Sequence, residues 1–263
     1  MVGIETAVLD SEVLLANVLD KDRPYLYTDP TKNLAKKQEW HFRRFIARRS
    51  RHEPVAYLIN EKEFFGLKFY VDKRVLIPRP ETEILVEEIL KLKKIPRTIA
   101  DIGVGSGCVS VTLAKYLPKT KIFAIDISVT ALACAQKNIK KFQAKNVDLL
   151  YGDMLEPLQG KVDAIVTNLP YISTKKLKEE QVSRAVRFEP KIALNGGPTG
   201  LELYKKMFAQ ARAHLNKEGL IIIEIDEEQQ ELIKDLIGRY FPRAKVSFKK
   251  DLAGYMRAVK IQT

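Results

Sequence analysis

The chain has 263 residues, 46% of them hydrophobic, which is enough to bury a substantial core and excludes a disordered chain. Its 45 basic against 33 acidic residues leave a formal charge of +12, which either steers an acidic or nucleic-acid partner toward the surface or serves solubility alone. No apolar run is long enough to cross a bilayer, and no metal-type cysteine spacing is present, so a reduced, cytoplasmic protein without a metal is expected. In chain order, the first segment carries Glu5, Asp10 and Glu12 and lacks a basic start, which argues against a signal peptide. Residues 1–60 read as a small helical domain, with Leu14, Leu15, Val18 and Leu19, then Phe42, Phe45 and Ile46, at helical spacing. Pro24 and Pro30 fall in the polar connection, and Trp40 is expected to anchor the core of this domain.

Residues 61–82, "EKEFFGLKFYVDKRVLIPRPET", are aromatic and β-branched, with Gly66 and Asp72-Lys73 as turn candidates, and read as a β-hairpin linker. Thr82 is placed to cap the helix that follows. From there, 83–263 alternates apolar strands with helical segments. Strands are expected at 98–104, 121–127, 147–151, 162–167 and 220–225, and a terminal antiparallel hairpin at 245–248 and 256–261. That alternation predicts an α/β domain with a mostly parallel sheet wrapped by helices. There is no internal repeat and no low-complexity segment.

"DIGVGSG" places Asp101, Gly103, Gly105 and Gly107 between a strand and a helix, where the chain must turn sharply and let a ligand approach its backbone. A dinucleotide enzyme would show Gly-x-Gly-x-x-Gly to seat a pyrophosphate. The acidic residue before the first glycine instead suits the cationic amino-acid end of S-adenosylmethionine. Asp126 ends the next strand, where a carboxylate accepts hydrogen bonds from ribose hydroxyls. Asp153 and Met154, ending the third strand, could meet adenine, the carboxylate at its amine and the thioether on its face.

At the end of the fourth strand stands Asn168-Leu169-Pro170-Tyr171. An amide or aromatic amino nitrogen is a poor nucleophile because its lone pair is delocalised. Two acceptors, the Asn168 side-chain oxygen and the Leu169 carbonyl, can hold its two N–H groups and aim the lone pair at a methyl donor. Pro170 would set the turn and Tyr171 cover the planar group. The gain is orientation and preorganised electrostatics.

Together with "VLIPRPETE", "FEPKIALNGGPTGLELY" and "KDLAG", these motifs give the chain a resemblance to release-factor glutamine methyltransferases of the HemK/PrmC type, over nearly its whole length. The glycine loop is common to many methyltransferases, whereas "VLIPRPETE" and the "EP-KIAL-GG" stretch are far more specific. The resemblance implies a class I S-adenosylmethionine-dependent methyltransferase fold, with a seven-stranded sheet whose last strand is antiparallel, behind a small helical domain and a hairpin. It implies methylation of the glutamine amide in the Gly-Gly-Gln loop of peptide-chain release factors, by a monomer working in the cytoplasm near the ribosome. By position, Gly103, Val104, Gly105, Ser106, Gly107, Asp126, Ile127, Met154 and Asn168 would contact the donor, and Asn168 to Tyr171 would grip the glutamine. Pro78, Arg79, Pro80 and Thr82 would line the reaction pocket, and Glu189 would either bind substrate or fix a loop.

The chain departs from the family pattern in several places. Leu169 stands where proline is usual, Met154 where tryptophan is common, and Thr199 where aspartate is expected; "EID" and "GYM" replace "EIG" and "GRD". "NLPY" is similar to the motif of ribosomal-RNA adenine dimethyltransferases, which keeps adenine in RNA or DNA as an alternative substrate. Those proteins carry their helical domain after the cofactor domain, the reverse of this chain. A cofactor-binding protein without turnover is the non-enzymatic alternative. Arg44, Arg48 and Arg51 form a basic stripe, either a solvated helix face or a contact for an acidic or RNA partner. His41, His52 and His214 are scattered and support neither a metal site nor a catalytic dyad.

Overall fold

A computed structural model describes residues 3–179, 184–251 and 253–263, so Leu252 of "KDLAG" lies outside the described residues. The chain opens with three helices, α1 (Ala7–Leu19), α2 (Lys36–Arg49) and α3 (Val55–Ile59). Leu14 of α1 is fully buried, and Asp10 of the same helix takes the Arg49 guanidinium of α2 at 2.7 Å. The inward face of α2 carries the partly buried Phe42, Phe45, Ile46 and Arg49, a spacing of three and four that returns to one side of a helix.

Trp40 falls outside that stripe. It is 55% exposed, with the Arg44 guanidinium 5.4 Å over its ring and the His41 ring edge-on, so it is not the core anchor expected. The arginine stripe is likewise divided. Arg44 lies against Trp40, whereas Arg48 is held by Glu53 at 2.5 Å.

β1 (Glu61–Phe64) and β2 (Leu67–Tyr70) form the antiparallel hairpin, joined by Phe65 and Gly66 with φ of 51° and 69°. Two left-handed residues match the right-handed twist of the strands they connect. The hairpin is tied down at its far end by Asn138, which accepts from the Tyr70 N–H at 2.8 Å and donates to the carbonyls of Tyr70 and Ser106. Beyond it, Tyr57, Val75 and Ile77 bury together, and α4 (Glu83–Leu90) begins. The Thr82 side chain makes no capping bond to that helix, contrary to expectation, because its hydroxyl is engaged elsewhere.

The remaining elements are β3 (Thr98–Ile102), α5 (Cys108–Tyr116), β4 (Lys121–Asp126), α6 (Val129–Phe142), β5 (Val147–Tyr151), β6 (Val162–Thr167), α7 (Glu202–His214), β7 (Leu215–Glu224), α8 (Gln230–Tyr240), β8 (Lys245–Lys250) and β9 (Met256–Gln262). They build a seven-stranded sheet in the order β5-β4-β3-β6-β7-β9-β8, parallel except for β9, which runs antiparallel to both neighbours. β7 starts earlier than its apolar run suggested, because α7 passes directly into it through polar residues with no hydrophobic alternation.

Alternate residues of the central strands enter opposite cores. Ile99, Ile122, Val166 and Ile222 pack with Leu85, Ile89 and Leu113 on the α4–α6 side. Ile102, Ile125, Ile165, Ile221 and Ile223 pack with Tyr204, Phe208 and Ile237 on the α7–α8 side. Burial on both faces explains the continuous isoleucine and valine runs, each buried side chain contributing about 1.5–3 kcal/mol. Strand order reverses between β3 and β6, and an open sheet of this kind places its ligand crevice beyond the carboxyl ends of those strands.

Candidate active site

A cavity of about 500 Å³ opens at that reversal point. Its floor is the loop after β3, where Gly103, Gly105 and Gly107 have φ of 74°, 53° and 81°. The loop is sewn to β4 by the N–H groups of Gly103 and Val104, both donating to the Ile125 carbonyl, and by Gly105 N–H donating to Asp126 Oδ2 at 2.9 Å. Gly107 starts α5 with no room to spare, since a Cβ there would meet Ala135 at 3.3 Å.

Asp126 is held from two sides, its other oxygen accepting the Ser128 N–H at 2.8 Å. Each oxygen keeps a lone pair for a ligand hydroxyl, and burial raises the carboxyl pKa. Asp101 also borders the cavity but is 3% exposed and accepts the Ser110 hydroxyl at 2.5 Å; burial pushes its pKa up to about 6. Ile127, Val104, Ser106 and Met154 complete this wall. Met154 holds a left-handed φ of 55° that turns the chain at the end of β5. Asp153 beside it is paired with Lys206 of α7, an engagement that motif reading did not anticipate. Asp101 and Asp126, left-handed glycines and apolar walls fit an adenosine-bearing, cationic ligand.

β6 delivers Asn168, Leu169 and Pro170 to the opposite wall. A second cavity of about 100 Å³ lies against the same turn and adds Tyr171, Ile172, Val186 and Leu194 to its lining. Leu76, Arg79, Asn168, Leu169, Pro170 and Ala193 border both spaces, so this turn and its neighbours form the partition between them.

Asn168 Nδ2 donates to Thr82 Oγ1 at 3.0 Å, and Thr82 Oγ1 donates to Glu224 Oε2 at 2.6 Å. The other Glu224 oxygen accepts the Tyr171 hydroxyl at 3.2 Å, and Tyr204 donates to the Glu224 backbone carbonyl. Leu169 is 3% exposed, with its side chain against Gly103 and its carbonyl 3.4 Å from the Tyr204 hydroxyl.

The "NGGPTG" stretch presses on the back of the turn. A Cβ at Gly196 would sit 2.5 Å from the Pro170 carbonyl oxygen and 2.9 Å from the Tyr171 Cα. At Gly200 it would collide with the Tyr171 carbonyl and with Gln229, whose Nε2 donates to that carbonyl at 3.0 Å. Thr199, one of the departures, bonds Glu202 through both its N–H and its hydroxyl and closes this loop locally.

Of the "PRPET" residues, Pro78, Arg79 and Thr82 border the large cavity, and Pro80 opens the short helical turn behind it. Glu189 borders neither space. Its side chain is 2% exposed and holds the Arg79 guanidinium at 2.5 Å, with Oε2 buried and unpaired. Burial raises its pKa while Arg79 opposes the shift. Glu189 therefore sets Arg79 at the junction of the two spaces. Residues that sequence reasoning missed are Glu224, Lys206, Leu76 and Ala193. Glu224 left a signal as an acid ending an otherwise apolar strand, "GLIIIEI", and Leu76 and Ala193 lie inside "VLIPRPETE" and "KIAL", whereas Lys206 falls outside every motif.

Residues 80–198 match the family described as the methyltransferase small domain, and residues 1–59 match the PrmC N-terminal domain. A protein of Moorella thermoacetica named release factor glutamine methyltransferase is 42% identical over 245 residues, covering 90% of this chain and 86% of its own. One of the same name from Geobacter sulfurreducens is 39% identical, covering 90% and 83%. Among solved structures, a methyltransferase from Pyrococcus furiosus superposes with a TM-score of 0.59 at 18% identity, over 82% of this chain and 98% of the other. That last likeness concerns the fold alone.

Proposed function

The chain belongs to the release factor glutamine methyltransferase family, and from that premise we propose how its site is used. It is a methyltransferase that modifies a glutamine of peptide-chain release factors with S-adenosylmethionine as donor. The reacting atom in this reading is the side-chain amide nitrogen of the glutamine in the Gly-Gly-Gln loop. The larger cavity takes the donor, with Asp126 toward the ribose, Asp101 toward the amino-acid end, and Ile127, Asp153 and Met154 around the adenine. The smaller cavity takes the glutamine side chain, which reaches the donor across the Asn168–Pro170 partition.

The bound donor supplies an electrophilic methyl on a sulfonium. What this chain supplies is placement. Asn168 Oδ1 and the Leu169 carbonyl accept the two amide protons, so the nitrogen lone pair turns toward the donor side, while Tyr171 borders the glutamine slot. The amide proton is lost readily once the nitrogen carries the methyl, so no strong base is needed. Arg79, set by Glu189, stands at the junction of the two cavities. The helical residues 1–60 and the 61–82 hairpin precede a catalytic domain at 83–263, and the helices serve substrate recognition. No helix among the described residues is long and apolar enough to cross a membrane. The enzyme acts as a cytoplasmic monomer near ribosomes, a setting that suits its charge of +12.

The observation that carries this reading is the partition itself: Asn168 and Leu169 border both a donor-sized space and a side-chain-sized one. The test is mass spectrometry of a purified release factor incubated with enzyme and labelled donor. The label is expected on the Gly-Gly-Gln glutamine, and Asn168→Ala is expected to abolish it while keeping affinity for S-adenosylhomocysteine. Label on RNA and never on glutamine would overturn the substrate, and donor binding without any transfer would overturn the activity.

A further inference from the structure

The proposed grip needs the Asn168 amide presented oxygen-first, and an amide can sit either way round. If its NH2 faced the substrate, donor would meet donor and the grip would fail. What selects the orientation lies outside the cavity. Thr82 Oγ1 has one proton, and the short 2.6 Å contact to a carboxylate oxygen claims it. With its proton spent there, Thr82 can only accept from Asn168, so Nδ2 turns toward Thr82 at 3.0 Å and Oδ1 is left for the substrate. The carboxylate belongs to Glu224, 1% exposed at the end of β7 and bordering neither cavity. Its second oxygen accepts from Tyr171, so the same acid also holds the residue at the other end of the motif.

Resting on the reading of Asn168 as the amide acceptor, the geometry points to Glu224 as a positioning residue that sets the polarity of the Asn168 grip through Thr82. Glu224 touches neither substrate nor donor. Its ionised form is the working one. Protonated, it would itself donate to Thr82, freeing the Thr82 proton to point at Asn168 and stabilise the reversed amide.

The surroundings make that protonation relevant near neutrality. Burial pushes the Glu224 pKa up to about 7, against the bonds from Thr82 and Tyr171 and the charge of Arg257 on β9, with Glu81 adding repulsion from the "RPET" turn. Tyr204 faces it through the backbone carbonyl, and Tyr171 is kept neutral by its own burial. The sign follows directly: raising pH through about 7 ionises Glu224 and raises turnover.

The experiment measures kcat against pH, at saturating donor, for wild type, Glu224→Gln, Thr82→Val and Thr82→Ser. Thr82→Val and Glu224→Gln are nearly isosteric, and S-adenosylhomocysteine affinity by calorimetry verifies that each is folded. Both are expected to lose kcat on the order of 10- to 100-fold at pH 8, the range for a misoriented catalytic contact, with KM for the release factor little changed. The limb near pH 7 should vanish in both, and Thr82→Ser should restore most of the turnover. If Asn168→Ala is inactive while Glu224→Gln and Thr82→Val keep wild-type kcat and profile, the positioning role is overturned and the site reading stands. If Asn168→Ala itself retains turnover, both fall.

Discussion

Gly196→Ala probes how tightly the reacting turn is set by its packing. The residue does not have a left-handed φ, so alanine brings no backbone strain of its own, only a methyl group. That methyl would lie 2.5 Å from the Pro170 carbonyl oxygen, 2.9 Å from the Tyr171 Cα and 3.0 Å from the Gly200 Cα. All three neighbours are backbone, so no side chain can swing aside. Reaching even a very tight 3.0 Å contact moves the turn by about 0.5 Å, and ordinary contact at 3.4 Å by about 0.9 Å. A displacement of roughly 1 Å at a reacting group costs about 100-fold. A loss of 10- to 100-fold in kcat is therefore expected, which is about 1.4–2.7 kcal/mol of transition-state stabilisation. The assay is initial-rate methyl transfer to a purified release factor. Donor affinity should change by less than about threefold, because the glycine loop and Asp126 are held by β4 and not by this stretch. A folded variant with kcat within about twofold of wild type would refute the argument that backbone contact from Gly196 sets the turn.

Asp126→Ala removes the acceptor at the end of β4 and the bond that shapes Gly105, so S-adenosylhomocysteine should bind about 10- to 100-fold more weakly by calorimetry. Unchanged affinity would move the ribose site elsewhere. Leu169→Pro keeps the backbone carbonyl, so turnover should be retained or raised, with thermal stability lower by about 1 kcal/mol for the lost packing against Gly103. Loss of turnover with donor binding intact would show that the leucine side chain itself matters. Trp40→Ala changes an exposed ring, so its melting temperature should stay within about 2 °C of wild type. A large drop would restore Trp40 as a core residue.

Much of the fold was readable because it is written in short-range pattern. Isoleucine and valine runs alternating with helical spacing specify strands and helices, since each strand of this sheet is buried on both faces. The loop motifs were readable because Gly103–Gly107 and Asn168–Tyr171 are each contiguous in sequence, whereas the contacts that hold them, from Ile125 and Asp126 of β4 and from Gly196 and Gly200, are not. Pattern gave less where a segment has no periodicity, and the polar start of β7 was missed on that account.

By itself, then, the sequence determined the family, the αβ order, and which loops come together around the cavities. The tertiary structure decided what holds those groups in place. Thr82 looked like a helix cap, and its hydroxyl instead donates to Glu224, 142 positions away. Glu189 stood in a recognisable motif and turned out to brace Arg79, 110 positions away, and Trp40 faced solvent because the inward stripe of α2 runs through Phe42, Phe45 and Ile46. A hydroxyl or carboxylate has several equally available local partners, and only the packing of distant strands determines which one it meets.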